Sequence, residues 1–145
     1  MAQTTITHLS AETDAEMLRN AAKLVNGGWG RGAAATDKNG NSVNYYRPDA
    51  VCFCATGAIS RSVMDGLGGD PRIVYTDLFE ETVRRLYGYA VEVMFRTDPG
   101  WPNGRDSRYP ENQIVDWNDD WKRNQQDVVD LLENAATVAA SSTAS

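Results

Sequence analysis

Asp49-Ala50-Val51-Cys52-Phe53-Cys54-Ala55-Thr56-Gly57-Ala58-Ile59-Ser60-Arg61-Ser62-Val63-Met64 is the stretch whose reading decides the fold. Val51, Cys54, Ala55, Ala58, Ile59, Ser62 and Val63 recur at steps of three and four, so they share one face of a helix. The face is small. Gly57 and Ala58 leave room for a second backbone to approach, which makes this a central helix that other elements pack around. Arg47-Pro48 disfavours helix immediately upstream, Asp49 has the form of a cap, and Asp65-Gly66-Leu67-Gly68-Gly69 is a stop.

Three further helices read outward from it. Thr13-Asp14-Ala15-Glu16 has the pattern of a capping box, and Met17, Leu18, Ala21, Ala22, Leu24 and Val25 supply an apolar stripe, so a first helix is expected from about Asp14 to Asn26. From Thr76 or Asp77 the series Phe79, Val83, Leu86, Ala90, Val93 and Met94 predicts a third, weakened at Gly88. Asn124 and Asp127 resemble the start of a last helix with the face Val128, Leu131, Leu132, Ala135 and Val138.

The connections are long and rich in glycine and proline. Gly28-Trp29-Gly30-Arg31-Gly32 is too glycine-dense for regular structure, with Trp29 as its anchor, and Asp37-Lys38-Asn39-Gly40-Asn41 reads as a turn. Val43 to Tyr46 is a short extended piece, enough for one small β-hairpin. Thr97 to Gln113, with three prolines, is the longest irregular connection. The expectation is a mostly α, compact single domain of about four helices over residues 13–138, preceded by a polar lead-in, 1–12, and followed by a frayed tail, 139–145.

The totals narrow the function classes. A chain of 145 residues fits one domain that hides roughly 68–70% of its unfolded surface. The net charge of −6 argues against general nucleic-acid binding, which needs a basic surface. Eleven of the fourteen basic residues are arginine, a bias that a GC-rich genome explains more simply than a shared anion cleft. No apolar run reaches the ~20 residues of a membrane span, and the N-terminus lacks the order of a signal peptide. A cytoplasmic setting is expected.

Catalytic and metal chemistry find little support. Cys52 and Cys54, placed in the first turns of the central helix, diverge by about 200° and are badly set for a disulfide. A cysteine nucleophile lacks its base, since the one histidine, His8, lies in the lead-in. No metal set can be assembled from these residues, and Asp116, Asn118, Asp119 and Asp120 lack the plan of a calcium loop. Asn118 and Asp119 instead suit side-chain to backbone hydrogen bonds. Glu80-Glu81 and Asp119-Asp120 are solvated helix ends rather than acid/base pairs, and no cofactor is implied. Gly30-x-Gly32-x-x-Ala35 echoes a phosphate turn but follows a helix, not a strand. Its amides beside Arg31 still suit a small anion nest.

Three stretches together resemble an uncharacterised family, domain-of-unknown-function family 6197, found mainly in actinobacterial and phage-type genomes. They are Leu24-Val25-Asn26-Gly27-Gly28-Trp29-Gly30-Arg31-Gly32-Ala33, then Cys54-Ala55-Thr56-Gly57-Ala58-Ile59, then Trp117-Asn118-Asp119 with Val128-Val129-Asp130-Leu131-Leu132. After Trp117-Asn118-Asp119 the chain departs from the family pattern through Asp120-Trp121-Lys122-Arg123-Asn124. The resemblance implies a fold and carries no activity.

The residues favour binding over catalysis. Trp29 and Trp117 are expected to clamp loops onto the small-residue helix at Cys54, Gly57 and Ala58, with Asn118 and Asp119 holding the loop entry. Trp101, Arg105, Arg108 and Trp121, from the Pro99 to Trp121 connection, suit a surface for a host or self protein partner. That makes a small phage or bacterial accessory protein the leading reading. The alternative is a small-ligand or nucleotide-binding domain, with possible hydrolysis, using Arg31, Arg47 and the glycine-rich loop around Trp29.

Overall fold

A computed structural model describes residues 2–98, 100 and 109–142, with side chains from Thr13 onward. In chain order the elements are α1 (Ala2–Gly27), β1 (Ala35–Thr36), β2 (Ser42–Val43), β3 (Cys52–Phe53), α2 (Ala55–Gly66), a 3-10 turn (Pro71–Tyr75), α3 (Asp77–Thr97), α4 (Pro110–Asp119) and α5 (Gln125–Ser141). The fold is mostly helical, with five α-helices and a small antiparallel sheet of order β2-β1-β3 among the described residues. No helix among them is long and apolar enough to cross a membrane.

The helix beyond the expected four is α4, which opens inside the stretch read as irregular. Pro110 sits in its first turn, where a missing N–H costs nothing. Only Ile114, Trp117 and Asn118 are buried on it, and three positions are too few for a period to be read. α1 also departs from expectation, because it runs from Ala2 straight through Thr13 to Glu16. Those residues are helix interior, so the capping-box pattern caps nothing. Asp14 lies on the buried stripe, and Arg85 of α3 grips it through two bonds of 2.6 and 2.9 Å. At the far end α5 continues to Ser141 with Ala139 fully buried, past the expected end at Val138. Alanine is the strongest helix former, and Ala135, Ala136 and Ala139 extend the core stripe.

The central helix starts four residues later than its periodicity suggested. Cys52–Phe53 is a strand paired with β1, Val51 is 46% exposed, and Asp49 forms an ion pair with Arg47 in place of a cap. Cys54 is the N-cap: its thiol accepts from the Gly57 amide at 3.4 Å. Cysteine is outside the usual set of capping residues, so the helix start carried no familiar mark. Both cysteines are free, and both lie ahead of the helix.

The remaining signals act as their chemistry dictates. Asp37 accepts from the amides of Asn39 and Asn41, both at 2.9 Å, and closes the β1–β2 hairpin with Gly40 at φ +83°. The paired strand takes only Val43 from the expected extended piece; Tyr45 and Tyr46 lie beyond it. Thr76 caps α3, and Asn124 with Asp127 forms a reciprocal capping box on α5.

α1 packs most extensively on α5, while α2 touches α1, α3 and α4 and so occupies the middle. Ala55, Ala58, Ile59 and Val63 of α2 have no exposed surface. Gly57 is the tightest point, since a Cβ there would fall 1.9 Å from the Ala34 carbonyl oxygen, which also accepts from the Cys54 amide at 3.2 Å. The hairpin therefore rests backbone to backbone on the first turn of α2. Gly88 of α3 is the opposite case, exposed with open space around it.

Two substitutions separate these roles by urea unfolding. Gly57→Ala is expected to lose about 2–4 kcal/mol because backbone, not a flexible side chain, must give way. Gly88→Ala is expected to gain about 0.5–1 kcal/mol through helix propensity alone.

Candidate functional site

The Trp29 loop, the start of α2 and the end of α4 meet at one side chain, Asn118. It has no exposed surface. Its Oδ1 accepts from the Trp29 indole at 2.9 Å and from the Ala55 amide, the first of α2, at 3.0 Å. Its Nδ2 donates to the Gly30 carbonyl at 3.1 Å and to Asp119 Oδ1 at 2.9 Å. A primary amide offers two N–H groups and two lone pairs, so its capacity is complete. The side chain ties the glycine-rich loop, the start of α2 and the end of α4 together.

The neighbouring loop is braced in the same manner. Asp119 Oδ1 also accepts from the Gly32 amide at 3.2 Å, so the carboxylate stands where an external anion would lie against that amide. The Arg31 guanidinium lies 4.7 Å over the Trp29 ring and donates to the carbonyls of Trp121, at 3.5 Å, and Arg123. Arg123 in turn stacks 4.2 Å over Trp117 and pairs with Asp98 at 2.9 Å. Trp117 is buried, and its indole N–H is the one buried side-chain polar atom without a partner among the described residues.

The expected binding residues do not all come together. Trp29, Arg31 and Trp121 belong to this braced region, and Trp121 projects from it with 81% of its surface exposed. Arg47 is engaged elsewhere, with its guanidinium on Asp49 and its carbonyl accepting from Arg61 at 2.8 Å. Trp101, Arg105 and Arg108 lie outside the described residues. The Cys54 thiol is engaged as a cap and contacts Thr56 Oγ1 at 3.2 Å. No group of three or more His, Cys, Asp or Glu among the described residues is arranged to hold a metal.

A cavity of about 410 Å³ lies between α2, α3 and the start of α4, lined by Tyr45, Ser60, Phe79, Tyr87 and Glu111 among others. Ser60 and Tyr87 share one hydrogen bond of 3.0 Å at buried positions. The Tyr45 ring lies parallel to that of Phe79, with centroids 6.3 Å apart. Burial first, then the neighbouring Tyr46 phenol and the Glu111 carboxylate, pushes the pKa of the Tyr45 phenol up to about 12. Burial likewise raises Tyr87, against the lowering effect of its bond to Ser60. The sequence signal for Ser60 and Tyr87 is weak: each is a hydroxyl-bearing residue among the buried positions of its helix.

Substitution at Asn118 tests whether the crossing is needed. Asn118→Ala should cost at least about 3 kcal/mol in urea unfolding, because the Trp29 and Ala55 donors and the Gly30 acceptor lose their partner in the core. Asn118→Asp places a buried carboxylate against Asp119, which raises its folded pKa. The contribution of such a group is retained below its unfolded value and lost as pH rises through the folded one. The deficit relative to wild type should then be larger at neutral pH than near about pH 4.

No curated protein and no solved structure matches this chain. A family model does, over residues 9–138, and its description is a family of unknown function, DUF6197. That span takes in the loop at Trp29, the capped start of α2 and the α4 end at Asn118. The chain belongs to DUF6197.

Proposed function

We propose that this chain is a small accessory protein of phage or bacterial origin, cytoplasmic, that acts by binding a host protein or a second copy of itself. The observation that carries the reading is Trp121, a large aromatic side chain left 81% exposed on a backbone that is held in place. Arg31 engages the carbonyls of Trp121 and Arg123, and Asp120 accepts from the Lys122 amide at 3.0 Å. A tryptophan presented this way loses little freedom on docking, the feature that makes such residues interface anchors. Trp101, Arg105 and Arg108 of the preceding connection, which lie outside the described residues, are assigned to partner contact on their chemistry alone.

Nucleotide or anion binding at Arg31, Arg47 and the glycine-rich loop is the weaker alternative. The Gly32 amide already meets a carboxylate, and the two arginines have separate internal partners.

Trp121→Ala distinguishes a docking residue from a structural one. Capture of the wild-type partner, or self-association measured by sedimentation, should weaken by roughly 30-fold or more. The unfolding midpoint should stay put, because so little of the side chain is buried. Unchanged association with Trp121→Ala would contradict the proposal.

A further inference from the structure

The cavity beside α2 and α3 is lined by residues separate from those of the Trp121 surface, and it carries its own chemistry. Its volume of about 410 Å³ falls within the range of small-molecule sites. Four aromatic side chains contribute to its wall: Tyr45 from the segment after β2, Phe79 and Tyr87 from α3, and Tyr109 just ahead of α4. Within its lining Glu80 and Arg84 neutralise one another at 2.7 Å, whereas Glu111 has no ion-pair partner among the described residues. The local balance is therefore one negative charge beside π-rich walls. Ser60 and Tyr87 are two hydroxyls joined by a single hydrogen bond, so one O–H and several lone pairs remain for a polar group entering the cavity.

We propose that this cavity binds a small organic cation, a tertiary or quaternary ammonium compound carrying a short polar arm. The ammonium group is attracted by the aromatic rings and by the Glu111 carboxylate, and the arm reaches the Ser60–Tyr87 hydroxyl pair. An anion would meet Glu111 and find no unpaired cation in the lining, since Arg84 is engaged by Glu80. A neutral apolar molecule would fit by shape while making no use of the charge.

The test is an amide NMR titration of the full chain with choline and with 3,3-dimethylbutan-1-ol, its neutral carbon isostere. Choline should shift the amides of Ser60, Phe79 and Tyr87 selectively, and the alcohol should bind at least about fivefold more weakly. Tyr45→Leu, which keeps apolar volume and removes the ring, should weaken choline about two- to fivefold with little effect on the alcohol. Glu111→Gln, at an exposed position, should do the same and keeps the test intact if the Tyr45 variant folds poorly. Equal binding of the two probes would overturn the proposal in favour of a charge-indifferent apolar pocket. Absence of localised shifts at about 20 mM choline would overturn it outright.

Discussion

A buried primary amide is the constraint on which the arrangement of this chain depends. Asn118 is enclosed by the core, and its four hydrogen-bonding positions are filled by Trp29 and Gly30 of one loop, by the first amide of α2 and by its neighbour Asp119. The net value of each bond is modest, about 0.5–1.5 kcal/mol, but leaving one such group unpaired in the interior costs more than making the bond returns. The consequence is mutual dependence. The Trp29 loop, the first turn of α2 and the end of α4 hold their positions together, although about ninety residues separate the loop from Asn118 along the chain.

The same economy governs the start of α2. Its first amide is taken by Asn118, the Gly57 amide by the Cys54 thiol, and Gly57 has no side chain because the Ala34 carbonyl occupies that space. A helix N-terminus beside a glycine-rich loop would ordinarily invite an anion. Here the Ala55, Gly57 and Gly32 amides already have internal acceptors. Outside this frame Trp121 stays exposed, as do Tyr75 and Leu78.

Much of the fold was legible where period and cap agreed. The starts of α3 and α5 are legible because an apolar series of adequate length follows Thr76 in one case and the Asn124–Asp127 pair in the other. α2 is recognisable by its small-residue face but its start is hidden, since a thiol cap looks like one more apolar position. α4 was hidden by its brevity, and Thr13–Glu16 showed that a capping-box pattern also fits the middle of a helix. Trp29, Asn118 and Asp119 each stood out from the sequence, yet their meeting did not. Periodicity describes which face a residue occupies within an element and says nothing of which distant element that face will touch. For that reason Arg31 and Arg47 look alike as candidate anion ligands in the sequence while the fold gives them different partners.

The most direct test of this account is hydrogen exchange at the Trp29 indole N–H, followed by NMR alongside the indole of Trp121. If the bond to Asn118 is integral to the core, the Trp29 proton should exchange only through global unfolding, with a protection free energy equal to the unfolding free energy from urea. The exposed Trp121 proton should exchange freely. A Trp29 indole that exchanges as fast as Trp121 in the folded protein would contradict the central role assigned to Asn118.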